Sequence, residues 1–386
     1  DRNTEFRHLR RLDLATGEEV LLSEEIPWDV SSVQRSGTGE LLVLGFNEDG
    51  RTRYYQYHVA RDEMEPLNLF SSGLFSLGLH PEEPLLVVNH TDPLGVGRGY
   101  VYDLVSREIT LWAGPEAEES DAPEARLIRY PTFDSIGGEP RRISAFVYPG
   151  VGDGPRPVLI DIHGGPESQA RLSTGMGVIQ NYGITFITPN VRGSTGYGKT
   201  FTSLDNGFLR ENSVRDIGAL LDWIAQQPDM DERRVMVTGG SYGGYMVLAS
   251  LVHFGDRLRC GVDIVGISNF VTFLENTADY RRDLRRAEYG DERDPEMRAF
   301  LESIAPLNQV DRIQSRIMIV QGENDPRVPV TESRQFVDAL KANGLEVAYI
   351  EGANEGHGFR NPWNAIYAAL AQWGMTQECL LGPEGG

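Results

Sequence analysis

Basic side chains, cysteines and long apolar runs are all scarce in this chain of 386 residues. Lys and Arg number 36 against 57 Asp and Glu, a formal net charge of -21. That charge opposes phosphate backbones and anionic headgroups, both of which are bound through clustered Lys and Arg. Nucleic acid is therefore not an expected partner. No stretch approaches the ~18 consecutive apolar residues of a membrane span, so a membrane is not an expected partner either. The two cysteines, Cys260 in a strand-like stretch and Cys379 near the C-terminus, form no disulfide framework and lack metal-ligand spacing. No disulfide, no metal, no other cofactor and a reducing, cytoplasmic setting are the corresponding expectations. What remains, 40% apolar and 24% charged residues, is the composition of a globular protein, and the length suits two domains of unequal size.

The first part of the chain repeats itself. Leu12-Asp13-Leu14, Tyr57-His58-Val59 and Tyr102-Asp103-Leu104 begin at 12, 57 and 102, 45 residues apart each time, and a charged turn follows each. Apolar runs at Leu41 to Leu44 and Leu85 to Val88 lie between them, so each unit reads as several short strands without a helix. All-β repeats of this period predict propeller blades. Residues 1–113 would hold about two, where closed propellers have ~4–8. The chain is accordingly read as a truncated or processed piece, and its unpaired blade faces favour association into a homo-oligomer. Residues 114–125 are acidic, carry two prolines and lack apolar periodicity, as expected of a linker.

From Arg126 onward the texture changes. Apolar runs at Pro157 to Ile162, Ile184 to Ile187, Val235 to Val237, Gly261 to Val265, Ile317 to Val320 and Val347 to Ile350 alternate with helical patterns. One of these patterns, Ser213 to Ala225, sets Val214, Ile217, Leu220, Leu221 and Ile224 on one face. Residues 126–386 are therefore expected to form an α/β domain, a mostly parallel sheet flanked by helices.

Within it, Val235 to Thr238 runs into Gly239-Gly240-Ser241-Tyr242-Gly243 and then into a helix-compatible stretch. A strand, a G-x-S-x-G turn and a helix are the nucleophile elbow of the α/β-hydrolase fold. A free hydroxyl is a weak nucleophile, so Ser241 needs a base, and the base needs an acid to orient it. The chain order in this fold is Ser, acid, His. Of seven histidines only His253 and His357 follow Ser241, and His253 sits about three turns along the nucleophile helix, facing away. His357, in a Gly-flanked loop after a predicted strand, is left as the base. Asp325, just beyond Ile317 to Val320, is the chosen acid, with Asp263 and Glu323 as competitors. The oxyanion donors are assigned to the backbone N–H groups of Tyr242 and of Gly165 in His163-Gly164-Gly165-Pro166. His163 itself is read as structural.

Taken together, H-G-G-P at His163, N-V-R-G-S-T-G-Y-G at Asn190, G-G-S-Y-G-G at Gly239, N-D-P-R-V-P at Asn324 and E-G-H-G-F at Glu355 resemble the prolyl oligopeptidase family, most of all its acylaminoacyl-peptidase and dipeptidyl-aminopeptidase branch. The resemblance covers roughly 126–373. It implies a C-terminal hydrolase preceded by a propeller that screens the active site, and an Arg327 that binds a substrate carbonyl. A structural ion pair of Arg327 is the alternative. The run Arg281-Arg282-Asp283-Leu284-Arg285-Arg286 is explained as a solvated helix face. The expected activity is hydrolysis of short peptides through an acyl-enzyme. A carboxylesterase working on small esters with the same triad is the second reading, and a non-catalytic binding module on a hydrolase fold is the third.

Overall fold

The computed structural model describes residues 3–116 and 124–383. The chain divides into two compact units. The first is Asp1–Ala125 with Arg171–Val178 and Thr195–Thr200, and the second is the remainder from Arg126. Most of the stretch read as a linker, 117–123, lies outside the described residues.

In the first unit the 45-residue period is a structural period. Strands Asp29–Arg35, Leu41–Glu48, Arg51–His58 and Glu63–Pro66 form one antiparallel four-stranded meander, and Leu74–Leu79, Leu85–Thr91, Gly97–Asp103 and Ile109–Ala113 form a second. Two such meanders are two propeller blades. An antiparallel pair, Arg10–Leu12 with Glu19–Leu21, precedes them. Its turn copies that of the second blade. Asp13 Oδ1 accepts the N–H groups of Ala15 and Thr16 at 2.8 and 3.0 Å, and Asp103 Oδ1 accepts those of Val105 and Ser106 at the same two distances. The two blades share an apolar cluster that includes Val43, Tyr54, Leu77, Leu86 and Val88.

The second unit is an α/β-hydrolase. Its sheet comprises β1 (Arg126–Ile136), β2 (Glu139–Tyr148), β3 (Arg156–Ile162), β4 (Thr185–Asn190), β5 (Met230–Gly240), β6 (Cys260–Ile264), β7 (Arg316–Gly322) and β8 (Val347–Gly352). They lie in the order β1-β2-β4-β3-β5-β6-β7-β8. Strands β3 to β8 pair in parallel, whereas β1 and β2 pair antiparallel and β2 runs antiparallel to β4. The antiparallel edge was not read from the sequence, because β1 mixes polar and apolar residues with little of the continuous hydrophobicity that marks a doubly covered strand.

The central strands are buried on both faces, and successive residues split between two cores. Val158, Ile160, Val235, Val237, Ile317 and Ile319 join one cluster, while Leu159, Met236, Met318 and Val320 join the other. Helices α1 (Glu211–Ile224), α2 (Tyr242–Phe254), α3 (Asp279–Tyr289), α4 (Val330–Ala342) and α5 (Pro362–Leu380) surround the sheet. Helices α1, α2 and α4 supply Val214, Ile217, Tyr245, Met246, Phe336 and Leu340 to the first cluster, and α5 supplies Ala368, Met375 and Leu380 to the second.

One expectation is corrected here. Cys260 on β6 and Cys379 on α5 are both buried and are joined as a disulfide across 119 residues of sequence. Their spacing resembles no framework because the partner is set by which helix covers the sheet, a tertiary matter. Closing a loop of that length contributes about 4–5 kcal/mol in the chain-entropy account. The compartment argument from unpaired cysteines thereby loses its footing. Among the described residues no helix is long and apolar enough to cross a membrane.

Candidate active site

All the loops that carry the candidate residues leave the C-terminal ends of neighbouring parallel strands: His163 to Gly165 after β3, Ser241 after β5, Asp325 after β7 and His357 after β8. In open α/β sheets that edge is where side chains from distant parts of the chain converge on a ligand.

Ser241 caps α2 with φ 59° and ψ -118°, a conformation that a residue with a Cβ rarely adopts and that costs about 1–3 kcal/mol. The surroundings hold it there. The Ser241 N–H donates to Ile264 O at 2.8 Å. A Cβ on Gly243 would lie 2.0 Å from Ile162 O, and one on Gly239 2.6 Å from Gly243 O, so the turn closes only with glycine at both places. A Cβ on Gly240 would meet nothing closer than 3.8 Å. The glycines flanking the elbow are thus required by packing, and the third is not.

His357 Nδ1 donates to Asp325 Oδ2 across 2.7 Å, leaving Nε2 as the free ring nitrogen. Asp325 is itself fixed. Its Oδ1 accepts the N–H groups of Arg327 at 2.8 Å and Val328 at 3.1 Å. The two loops are stitched together by Asn324 N–H to Glu355 O at 2.9 Å and by the Asn324 side-chain amide to Ala353 O at 2.9 Å. The Glu355 carboxylate then gathers the N–H groups of Arg360 and Asn361, turning the histidine loop into α5. Among the described residues no hydrogen bond joins the Ser241 hydroxyl to the ring, a link that in unliganded hydrolases is often long until substrate binds.

The competing acids have other occupations. Glu323 pairs with Arg334 at 3.2 Å. Asp263 lies wholly buried inside β6, where burial pushes its carboxyl up to about 7. Its Oδ1 has no partner. His253 pairs with Glu211 at 2.8 Å, away from the elbow.

The oxyanion candidates sit on both sides of the elbow. The Tyr242 N–H opens α2, where a helix has no acceptor for its first donors. The loop after β3 presses against it, since a Cβ on Gly164 would be 3.3 Å from Ser241 Cβ. Gly165 takes φ +129°, a value that suits only glycine, and its peptide bond to Pro166 is cis. Asn190 holds this loop at its far end through both its amide atoms on the Ala170 backbone, at 2.7 and 2.9 Å. Ser194 holds its beginning through His163 Nε2 at 2.8 Å. The N-V-R-G-S phrase is therefore a clamp for the H-G-G-P phrase. His163 is part-buried, and its partial loss of solvation lowers its pKa, in keeping with a structural imidazole.

Two supporting groups were missed. The Gly165 carbonyl accepts from Arg285 at 3.0 Å and from the Tyr289 hydroxyl at 3.3 Å, while Arg285 also pairs with Glu288. Arg285 thus leaves the solvated face proposed for the Arg281 to Arg286 run. Its spacing to Glu288 on α3, i to i+3, was the available signal. Burial pushes Glu288 up to about 7. Beneath the elbow, a fully buried Arg210 pairs with Asp205 at 2.6 Å and reaches the Tyr242 hydroxyl at 3.3 Å, and that hydroxyl also meets Ser213 at 2.8 Å. Arg327 is exposed, and among the described residues its guanidinium has no ion pair or hydrogen bond, so the structural ion pair considered for it is not formed. No group of three His, Cys, Asp or Glu side chains among the described residues is arranged to hold a metal.

A strained serine between a helix N-terminus and a glycine loop, with a histidine–aspartate pair on adjacent strand ends, is the set of parts that a serine hydrolase on an α/β-hydrolase domain uses. Comparison with known proteins agrees and narrows the class. The prolyl oligopeptidase family model matches residues 170–382, and the chain belongs to that family. It is 37% identical over 240 residues to dipeptidyl aminopeptidase BIII of Pseudoxanthomonas mexicana, covering 60% of this chain and 34% of that protein. A crystal structure of puromycin hydrolase superposes with a TM-score of 0.83 at 21% identity, covering 99% of this chain and 59% of the other. Acylaminoacyl peptidase of Pyrococcus horikoshii superposes at 0.77 with 20% identity, covering 96% and 59%. The chain thus spans about a third of the length of that curated relative and 59% of each solved structure.

Proposed function

We propose that this chain hydrolyses peptide bonds of short peptides through an acyl-enzyme on Ser241. His357 Nε2 takes the hydroxyl proton as Ser241 Oγ attacks the carbonyl carbon. The N–H groups of Tyr242 and Gly165 receive the oxyanion. Collapse breaks the C–N bond, with His357 returning the proton to the leaving amine, and water then repeats the sequence on the acyl-enzyme. Asp325 keeps its charge throughout and stabilises the imidazolium. The observation that carries this reading is the 2.7 Å bond from His357 Nδ1 to an aspartate whose other oxygen is already held by two backbone donors. Arg327, partnerless on the same loop, would donate to a substrate carbonyl next to the cleaved bond.

The names of the relatives make dipeptides released from a free N-terminus and acylated amino acids the two substrate classes to try first. A paired panel of dipeptide amides, N-acetyl aminoacyl amides and simple acyl esters, run with this chain and with Ser241→Ala, tests the proposal. Amide hydrolysis that disappears in the variant is the expected result. Activity confined to esters would replace peptidase by carboxylesterase, and no activity on any of them, with the chain folded, would leave a binding module.

A further inference from the structure

Each oxyanion donor is backed by its own set of side chains, and one residue touches both sets. The hydroxyl of Tyr242 meets Ser213 Oγ at 2.8 Å, Asp205 Oδ2 at 3.2 Å and Arg210 Nη1 at 3.3 Å. The carbonyl of Gly165 accepts from Arg285 at 3.0 Å and from the Tyr289 hydroxyl at 3.3 Å. Arg210 reaches this second set as well. Its Nη2 donates to Glu288 O at 2.7 Å, at the end of the helix α3 that carries Arg285 and Tyr289. The carbon of its guanidinium lies 5.3 Å from the centre of the Tyr242 ring and 4.9 Å from that of Tyr289, and the two rings stack with centres 6.1 Å apart. Asp205 pairs with Arg210 at 2.6 Å, and both side chains are wholly buried. A buried ion pair is often no more stabilising than a well-packed apolar pair, so stability alone gives little reason for one beneath the nucleophile turn.

We propose that Arg210 is a positioning residue that sets the spacing between the N–H groups of Tyr242 and Gly165, and through it the fit of the site to the oxyanion. The inference rests on the acyl-enzyme chemistry proposed above, in which both groups donate to that oxygen. Such donors act only when they stand ~2.7–3.1 Å from the place the oxyanion will occupy, so a small change in their separation is felt after attack and little before it. Tyr242 lies on α2, which follows β5, whereas the groups that hold the Gly165 carbonyl lie on α3, which follows β6. The distance between these supports is therefore set by what lies between them. A planar guanidinium with donors on both Nη atoms bridges them in a fixed fork. A lysine ammonium would keep Asp205 neutralised, but as a point charge on a flexible stem it would leave the bridge unmade.

Steady-state kinetics of Arg210→Lys, expressed per active site titrated with an organophosphorus reagent, tests this on whichever substrate the parent chain cleaves best. The expected result is kcat lowered about 10- to 100-fold with KM held within about threefold, and a peptide boronate, which forms a tetrahedral anion on Ser241, bound more weakly by a similar factor. An arginine with a purely structural role predicts the reverse, a lower melting temperature with kcat per site and boronate affinity kept. Tyr242→Phe cuts the hydroxyl link, leaves the Arg210–Asp205 pair whole and should lower kcat about three- to tenfold, which carries the test if Arg210→Lys fails to fold. In the folded variants, an unchanged kcat per site or a loss confined to KM overturns this inference alone. A parent chain without hydrolytic activity overturns the proposed function along with it.

Discussion

Two buried aspartates stand one strand apart, and their surroundings could hardly differ more. Asp325 lies in the loop beyond β7, with two backbone N–H groups on one oxygen and His357 on the other. Asp263 lies within β6, crowded by Gly244 and Gly266, with Oδ1 unpartnered and its carboxyl pushed up to about 7 by burial. A strand has spent its own N–H groups on its neighbours, so a carboxylate inside it finds few donors. A loop that has just left the sheet has donors to spare. The charged acid a triad needs is therefore available beyond the strand and not inside it, although Asp263 lies on the strand next to β5 and Asp325 one strand further away.

Replacing each acid by its amide separates the two. Asp325→Asn should lower kcat about 10⁴-fold without loss of fold, because the amide presents the wrong partner to Nδ1–H. A fall under tenfold in steady-state kinetics would hand the role to another carboxylate. Arg327→Ala, on the same loop, should lower kcat/KM for peptides about 10- to 100-fold and leave the melting temperature in place, with small esters spared. Equal losses on both substrates would remove it from the peptide-binding role. Arg285→Met loosens the peptide plane of Gly165 and should cost about tenfold in kcat with KM little altered, the pattern of an interaction felt in the transition state. A change in KM alone would make Arg285 a binding residue.

Asp263→Asn should change activity least, within about threefold. Its effect belongs to stability. An acid raised on folding carries no penalty below about pH 4, where it is protonated folded or unfolded, and a growing one as pH rises toward 7. The amide variant should thus match the parent near pH 4 and exceed it by roughly 2–4 kcal/mol above pH 7 in denaturant unfolding. A constant difference across that range would show that Asp263 does not titrate with folding.

The contrast also explains what could be read in advance. Ser241, Asp325 and His357 were placed by their positions after apolar runs, since strand ends are visible wherever a doubly buried strand stops. The 45-residue repeat was visible for a similar reason, the same Asp-initiated turn recurring at 13 and 103. Contacts made by helices across the sheet left no such trace. The joining of Cys260 to Cys379 and the reach of Arg285 to Gly165 depend on which face each helix presents. A run such as Arg281 to Arg286 reads as solvated when only its charge is counted.

Intact-mass and peptide mapping after treatment with an organophosphorus reagent tests the central claim most directly. One adduct per chain, on the peptide carrying Ser241 and lost in both Ser241→Ala and the denatured protein, is the predicted result. A folded chain that takes no adduct, or takes it elsewhere, would contradict the assignment of Ser241 as nucleophile.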